Sequence, residues 1–194
     1  MRRTFFTLLI VVTTMTAAGS AFGQNSMMGQ NPMVGGAAMF RTRDIVDNAV
    51  KSADHTTLVA AVKAAGLVDT LKGSGPFTVF APTNAAFAKL PAGTVDMLIQ
   101  PENKATLTKI LTYHVVAGQL DSAAIAKAIK KGKGKARLKT VSGGWLTAWM
   151  SGGELVLQDE QGGKSMVTIA DVRQSNGVIH VVDTVLMPGS PAKM

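Results

Sequence analysis

GPFTVFAPTNAAFAKLP, residues 75–91, holds a strand, a corner and a helix start in one short stretch. Phe77 to Ala81 reads as a strand, because Phe, Val and Thr fit a pleated, buried surface. Pro82 has no N–H to give a ladder and ends it. Thr83 is placed to cap the helix carrying Phe87 and Leu90, its hydroxyl accepting a free N–H of the first turn. The loop Gly73-Ser74-Gly75 precedes the strand.

Upstream the pattern is helical. Ile45, Val46, Ala49 and Val50 share one face, and Leu58, Val59, Val62 and Ala65 form a second stripe that Gly66 can cap. Leu67 to Lys72 adds a turn. Downstream, helical pieces are predicted over residues 94–99 and 101–111, the second burying Leu107, Ile110 and Leu111. Residues 113–117 form a short β-prone run, and Ser122 opens a helix with Ile125 and Ile129 inward. After Lys131 the apolar period changes to two. Strands are expected over 136–141, 145–150, 154–158, 166–172 and 178–186, with Gly-Gly and Asn-Gly turns between them. Helices first and a meander last indicate an α+β fold.

The first residues carry the marks of export. Arg2 and Arg3 precede the apolar run 5–12, and Ala21-Phe22-Gly23 offers a small-x-small cleavage site before Gln24. The expected organisation is a signal peptide over 1–23, a flexible or weakly docked Met- and Gly-rich lead-in over 24–41, one domain over 42–188 and a tail over 189–194. Cleavage at Gln24 removes two arginines, so the formal charge falls from +8 to +6. That balance favours anionic partners, and export argues against nucleic acid. The absence of cysteine excludes disulfides, thiol chemistry and cysteine-bound metal.

Three boxes stand in order along the chain: GPFTVFAPTNAAFAKLP at 75–91, LTYHVV at 111–116 and NGVIHVVDTVLMP at 176–188. Together they resemble the two end motifs and the central Tyr-His motif of a single fasciclin-like domain. The resemblance covers about residues 42–188. It implies an α+β wedge, with a β-sandwich of about seven strands and helices packed along one edge. It also implies adhesion or extracellular-matrix binding, and for bacterial members an exported protein of the periplasm, envelope or cell surface. Tyr113 and His114 correspond to the stretch implicated in adhesion by animal relatives. Their apolar neighbours Leu111, Val115 and Val116 also suit a strand entering the core, with both polar groups hydrogen-bonded inside.

The second candidate is the basic run KKGKGKARLK, residues 130–139. Lys131, Lys133, Lys135, Arg137 and Lys139 alternate, so on a strand they would form one cationic stripe. Lys127 and Lys130 would extend it. Such a stripe suits an acidic polysaccharide or an anionic membrane surface, or serves as a solvated, lysine-protected edge. Trp145 and Trp149 share a strand face, and indoles either stack on sugar rings or fill a core; their size favours the core. Met27, Met28, Met33 and Met39 in the lead-in offer soft thioethers to Cu(I), but with no His or Cys beside them.

Signals for catalysis are weak. His55, His114 and His180 show no ligand spacing. Gly162-Gly163-Lys164-Ser165 imitates the end of a phosphate loop but lacks its first glycine. Asp171 and Asp183 can meet across the last hairpin. The expectation is a non-enzymatic, cofactor-free, monomeric binding module for cell-surface or matrix glycans or proteins. The alternative is a periplasmic small-ligand or metal-binding protein that uses the lead-in.

Overall fold

The computed structural model of the chain describes residues 31–189. The expected signal peptide, the start of the lead-in and residues 190–194 lie outside that range. A small hairpin comes first, β1 (Met33–Val34) with β2 (Ala37–Ala38). Helices α1 (Ile45–Ala49), α2 (Thr56–Ala65) and α3 (Val68–Lys72) follow, then β3 (Phe77–Pro82). Next come α4 (Asn84–Ala88), α5 (Thr94–Leu98), α6 (Lys104–Tyr113), β4 (Val115–Ala117) and α7 (Ser122–Lys131). The chain finishes as β5 (Ala136–Lys139), β6 (Trp145–Ser151), β7 (Glu154–Gln158), β8 (Lys164–Gln174) and β9 (Gly177–Val182).

The larger sheet has seven strands in the order β4-β3-β9-β8-β7-β6-β5. Every pairing in it is antiparallel except β3 with β9, which is parallel from Phe77–Gly177 to Pro82–Val182. An isolated bridge from Val116 to Thr140 joins β4 to the residue after β5. The sheet therefore curls almost into a barrel, which is the α+β fold the three boxes imply. Its layers are two sides of one rolled sheet, closed because each end strand finds the other.

Alternation on β3 and β9 creates two cores. Val79, Ala81, Ile179 and Val181 face the helices with Ile45, Leu58, Val62, Leu107 and Ile110. Phe80 and Val182 face the interior of the curl with Tyr113, Ile125, Ile129, Leu146, Ala148 and Leu157. Both strands are thus buried on both sides, which is why they read as continuous apolar runs.

Local signals explain the element ends. Thr83 accepts from Ala86 N–H at 3.2 Å, as the corner in residues 75–91 predicts. Gly66 ends α2 in the left-handed region at φ +72°. One boundary differs from expectation. Tyr113 belongs to the last turn of α6 and not to a strand, because Leu107, Ile110 and Leu111 carry the helical face to that point. Helix α7 opens at Ser122 as expected, and Asp121 caps it by accepting from Ala124 N–H at 2.9 Å.

The described part of the lead-in, residues 31–41, is docked and not loose. Val34 and Met39 are buried with the helical core. Asn48 accepts from Phe40 N–H at 3.0 Å and donates to Phe40 O at 2.7 Å, and it also donates to Gln174.

The parallel pair depends on a glycine. A Cβ on Gly177 would lie 2.0 Å from the Phe77 carbonyl oxygen. Gly177→Ala must push β9 away from β3, and it should destabilise the protein by about 3 kcal/mol or more. Urea denaturation of the purified variant checks this.

Candidate functional site

Helix α7 buries Ile125 and Ile129 and ends in Lys130 and Lys131, where cations suit the negative end of the helix dipole. Gly134 N–H then bonds Ile129 O at 2.9 Å, which folds the chain back on the helix end. A Cβ on Gly132 would lie 1.9 Å from Lys135 O, so that position requires glycine. Lys133 is left-handed at φ +56°. The basic run is therefore a helix end, a tight turn and a strand, in place of the single strand expected. Only Arg137 and Lys139 alternate on β5, opposite buried Ala136 and Leu138. The cause is the pair of glycines, which permit a turn where the charge pattern alone suggests extension.

The charges nevertheless gather. Lys131, Lys133, Lys135, Arg137 and Lys139 are all exposed, as are Lys127 and Lys130. Among the described residues, none of them lies within 4.0 Å of a carboxylate in an ion pair; those pairs use Lys72, Lys89 and Arg173.

Next to this ridge, β6 turns Leu146 and Ala148 inward and Trp145, Thr147 and Trp149 outward. Trp145 is 36% exposed. The expectation that both indoles fill the core is corrected, because Leu146 and Ala148 take the inward positions of that strand. Arg137 lies over the Trp145 ring at 4.6 Å and Lys164 over the Trp149 ring at 5.9 Å.

Tyr113 and His114 are inside. The Tyr113 hydroxyl donates to Trp145 O at 2.7 Å and accepts from Glu160 N–H at 3.1 Å. Its ring packs so closely on Gly144 that a Cβ there would lie 2.7 Å from Cε2. Burial raises its pKa well above the usual phenol value. His114 Nδ1–H donates to Ile110 O at 2.8 Å, and Nε2 accepts from Leu186 N–H at 3.0 Å. With 0% and 3% exposure, neither side chain can touch a partner from the folded surface. The pair ties the end of α6 to β6, the β7–β8 turn and the C-terminal segment.

The other chemical candidates are also engaged in structure. His180 Nε2–H donates to Leu120 O at 2.8 Å and stacks on Phe80. His55 Nδ1 bonds Ser52 Oγ at 2.9 Å, while its buried Nε2 has no hydrogen-bond partner among the described residues. Asp171 accepts from Ser122, and Asp183 accepts from Lys89 and Met166 N–H, so the two carboxylates serve different ends of the last hairpin. In the Gly162-Gly163 turn, Asp159 itself accepts from Gln161 N–H at 2.9 Å and Gly163 N–H at 2.7 Å. A side chain of the protein thus fills the position an anion would take in a phosphate loop. The missing first glycine signalled the difference.

Met39 is buried and Met33 is exposed, whereas Met27 and Met28 lie outside the described residues. Among the described residues no group of three or more His, Cys, Asp or Glu could hold a metal ion. An apolar cavity of about 70 Å³ lies between α1, α2, α6 and β3, with Val62, Leu111 and His114 in its wall. It is far smaller than the ~300–1,000 Å³ typical of small-molecule sites.

The family model for the fasciclin domain matches residues 53–188. The chain belongs to the fasciclin-domain family. It is 45% identical over 159 residues to the protein sll1483 of Synechocystis sp., covering 82% of this chain and 81% of that one. It is 36% identical over 189 residues to the immunogenic protein MPB70 of Mycobacterium bovis, covering 93% and 89%. The cell surface glycolipoprotein MPB83 of the same species is 35% identical over 165 residues, covering 82% and 67%. The FAS1 domain pair of the insect cell adhesion molecule Fasciclin I superposes with a TM-score of 0.66 at 20% identity, covering 75% of this chain and 51% of that one. The chain thus spans about half of that domain pair, and at this identity the likeness is one of fold. Among the described residues no helix is long and apolar enough to cross a membrane.

Burial sets the charge of His114. Desolvation lowers its pKa from 6.5 to about 4, and protonated Nε2 would face the Leu186 N–H, donor against donor. His55 and His180 shift the same way, also through burial. As pH falls, the unfolded chain takes up these protons first. The stability contributed by neutral His114 is complete above pH 6.5, is lost between 6.5 and about 4, and levels below. The loss amounts to ~3 kcal/mol from His114. Urea midpoints from pH 7.5 to 4 and an NMR titration of the imidazole measure it.

Proposed function

We propose that this fasciclin-domain protein is an exported, non-enzymatic adhesion module that binds acidic glycans of a cell surface or matrix through its cationic ridge. The observation that carries the reading is the clustering of Lys131, Lys133, Lys135, Arg137 and Lys139 on exposed positions without ion-pair partners among the described residues. Charges already paired have little left for a ligand, whereas unpaired ones keep their full attraction for a polyanion. The signal-like sequence over residues 1–23 supports export, as does the likeness to a cell surface glycolipoprotein. The non-enzymatic reading rests on His114 and His180, both held by backbone groups, and on Asp159, which closes the imitation phosphate loop.

Tyr113 and His114 keep a role in this reading, as positioning residues. Tyr113 bonds the first residue of β6, next to the ridge, and so sets where β5 and β6 stand. The alternative built on the Met-rich lead-in has no comparable support, since Met39 is enclosed in the core.

Replacing Lys133, Lys135 and Arg137 together by Gln tests the proposal. The variant should leave a polygalacturonate column at clearly lower salt than the parent protein. Its stability should fall by no more than about 1 kcal/mol, because all three side chains are exposed and the Arg137–Trp145 contact is the interaction lost. Unchanged elution would sink the reading.

A further inference from the structure

The outward face of β5, β6, β7 and β8 carries an aromatic and cationic surface that the ridge alone does not describe. The registers Arg137–Thr147, Thr147–Gln158 and Gln158–Lys164 form one transverse row across the four strands. A second row runs Trp149–Val156–Met166, and Lys139 stands opposite Trp145. Trp145 and Trp149 are four residues apart on one strand, roughly 13 Å along it. Met166, 41% exposed, lies at the far end of that row, while Val156 between it and Trp149 is itself buried.

Charge on this face is one-sided. Its strand positions carry Arg137, Lys139 and Lys164, against one acid, Glu154, at the end beside Ser151. Glu160 lies near Trp145, but its carboxylate accepts from Trp145 N–H at 3.1 Å and Gly189 N–H at 3.0 Å. Each indole is coupled to a cation, Arg137 on Trp145 and Lys164 on Trp149. A guanidinium stacked on a ring keeps its in-plane N–H groups free for a carboxylate. Neither cation is in an ion pair among the described residues.

We infer that this face is the glycan-reading platform: Trp145 and Trp149 offer sugar rings the indole surface that Arg137 and Lys164 leave open, while Arg137, Lys139 and Lys164 take the acid groups of a uronic-acid polymer. This rests on the proposed glycan function and adds to it the element that tells a sugar from any other polyanion. A simple lysine ridge attracts every polyanion alike. Rigid indoles supply contact area at low entropic cost and respond to rings, not to charge.

Trp145 and Trp149 are the two tryptophans of the chain, so intrinsic emission reports on this face directly. The full mature chain is titrated with polygalacturonate, with polyglutamate as an anion without sugar rings, and with phosphatidylglycerol vesicles. Polygalacturonate should shift the emission, protect it from acrylamide and bind at least tenfold tighter than polyglutamate. Trp149→Ala and Trp145→Ala should each weaken polygalacturonate at least fivefold and leave polyglutamate unchanged, with the melting temperature as a check on folding. Should a variant fold poorly, acrylamide protection of the unaltered protein decides.

If polygalacturonate binds without changing the emission, or the variants bind it normally, the platform is overturned and the ridge reading stands. If a Lys133→Gln, Lys135→Gln variant that keeps Arg137 binds normally while the Trp variants do not, the ridge reading falls and the platform stands. Equal protection by vesicles or polyglutamate overturns the platform. No binding to any polyanion overturns both.

Discussion

The parallel pairing of β3 with β9 is the contact on which the other parts rest. It brings together residues a hundred apart in the chain, and it does so at a distance only glycine allows, with Gly177 against the Phe77 carbonyl. Once formed, it offers two apolar faces. The helices cover one, and the rest of the sheet curls over the other. Phe80 and His180 stack across the pair at 5.5 Å between ring centres. Loss of this seam would leave the helical half and the meander half with no shared core.

Polar side chains then lock the periphery to that seam. Asn176, beside the glycine, accepts from Ile45 N–H at 3.1 Å and donates to Leu71 O and Gly73 O, which fixes the start of α1 and the loop before β3. Tyr113, His114 and Asp159 do the same at the other end, joining α6, β6 and residues 186–187. Buried polar groups need partners, and here the partners are backbone groups of distant segments. The Tyr-His box thus has a physical use that does not require exposure.

Much of the fold was legible in the sequence because period and punctuation agreed. Gly66 as a cap, Thr83 as a cap and the even spacing of β7 all follow from local rules. The end of α6 was misread because Tyr113 and the two valines after His114 are β-prone while the helical face still ran on. The site was harder to read. A run of alternating lysines looks like a strand, but Gly132 and Gly134 turn it, and no charge pattern records that. Whether Trp145 fills a core or faces water depends on which neighbours claim the inward positions of β6, a matter of register and not of indole size.

By itself the sequence determined the family, the α+β class, the order of elements and the presence of a basic segment. These depend on local periodicity and on three motifs read in order. Only the tertiary structure decided that Tyr113 and His114 are enclosed, that residues 31–41 are docked, and that Arg137 and Lys164 lie over two outward indoles. Those facts depend on which strands are neighbours and which face each presents. The curling of the sheet sets both, and that closure is made by contacts between distant residues.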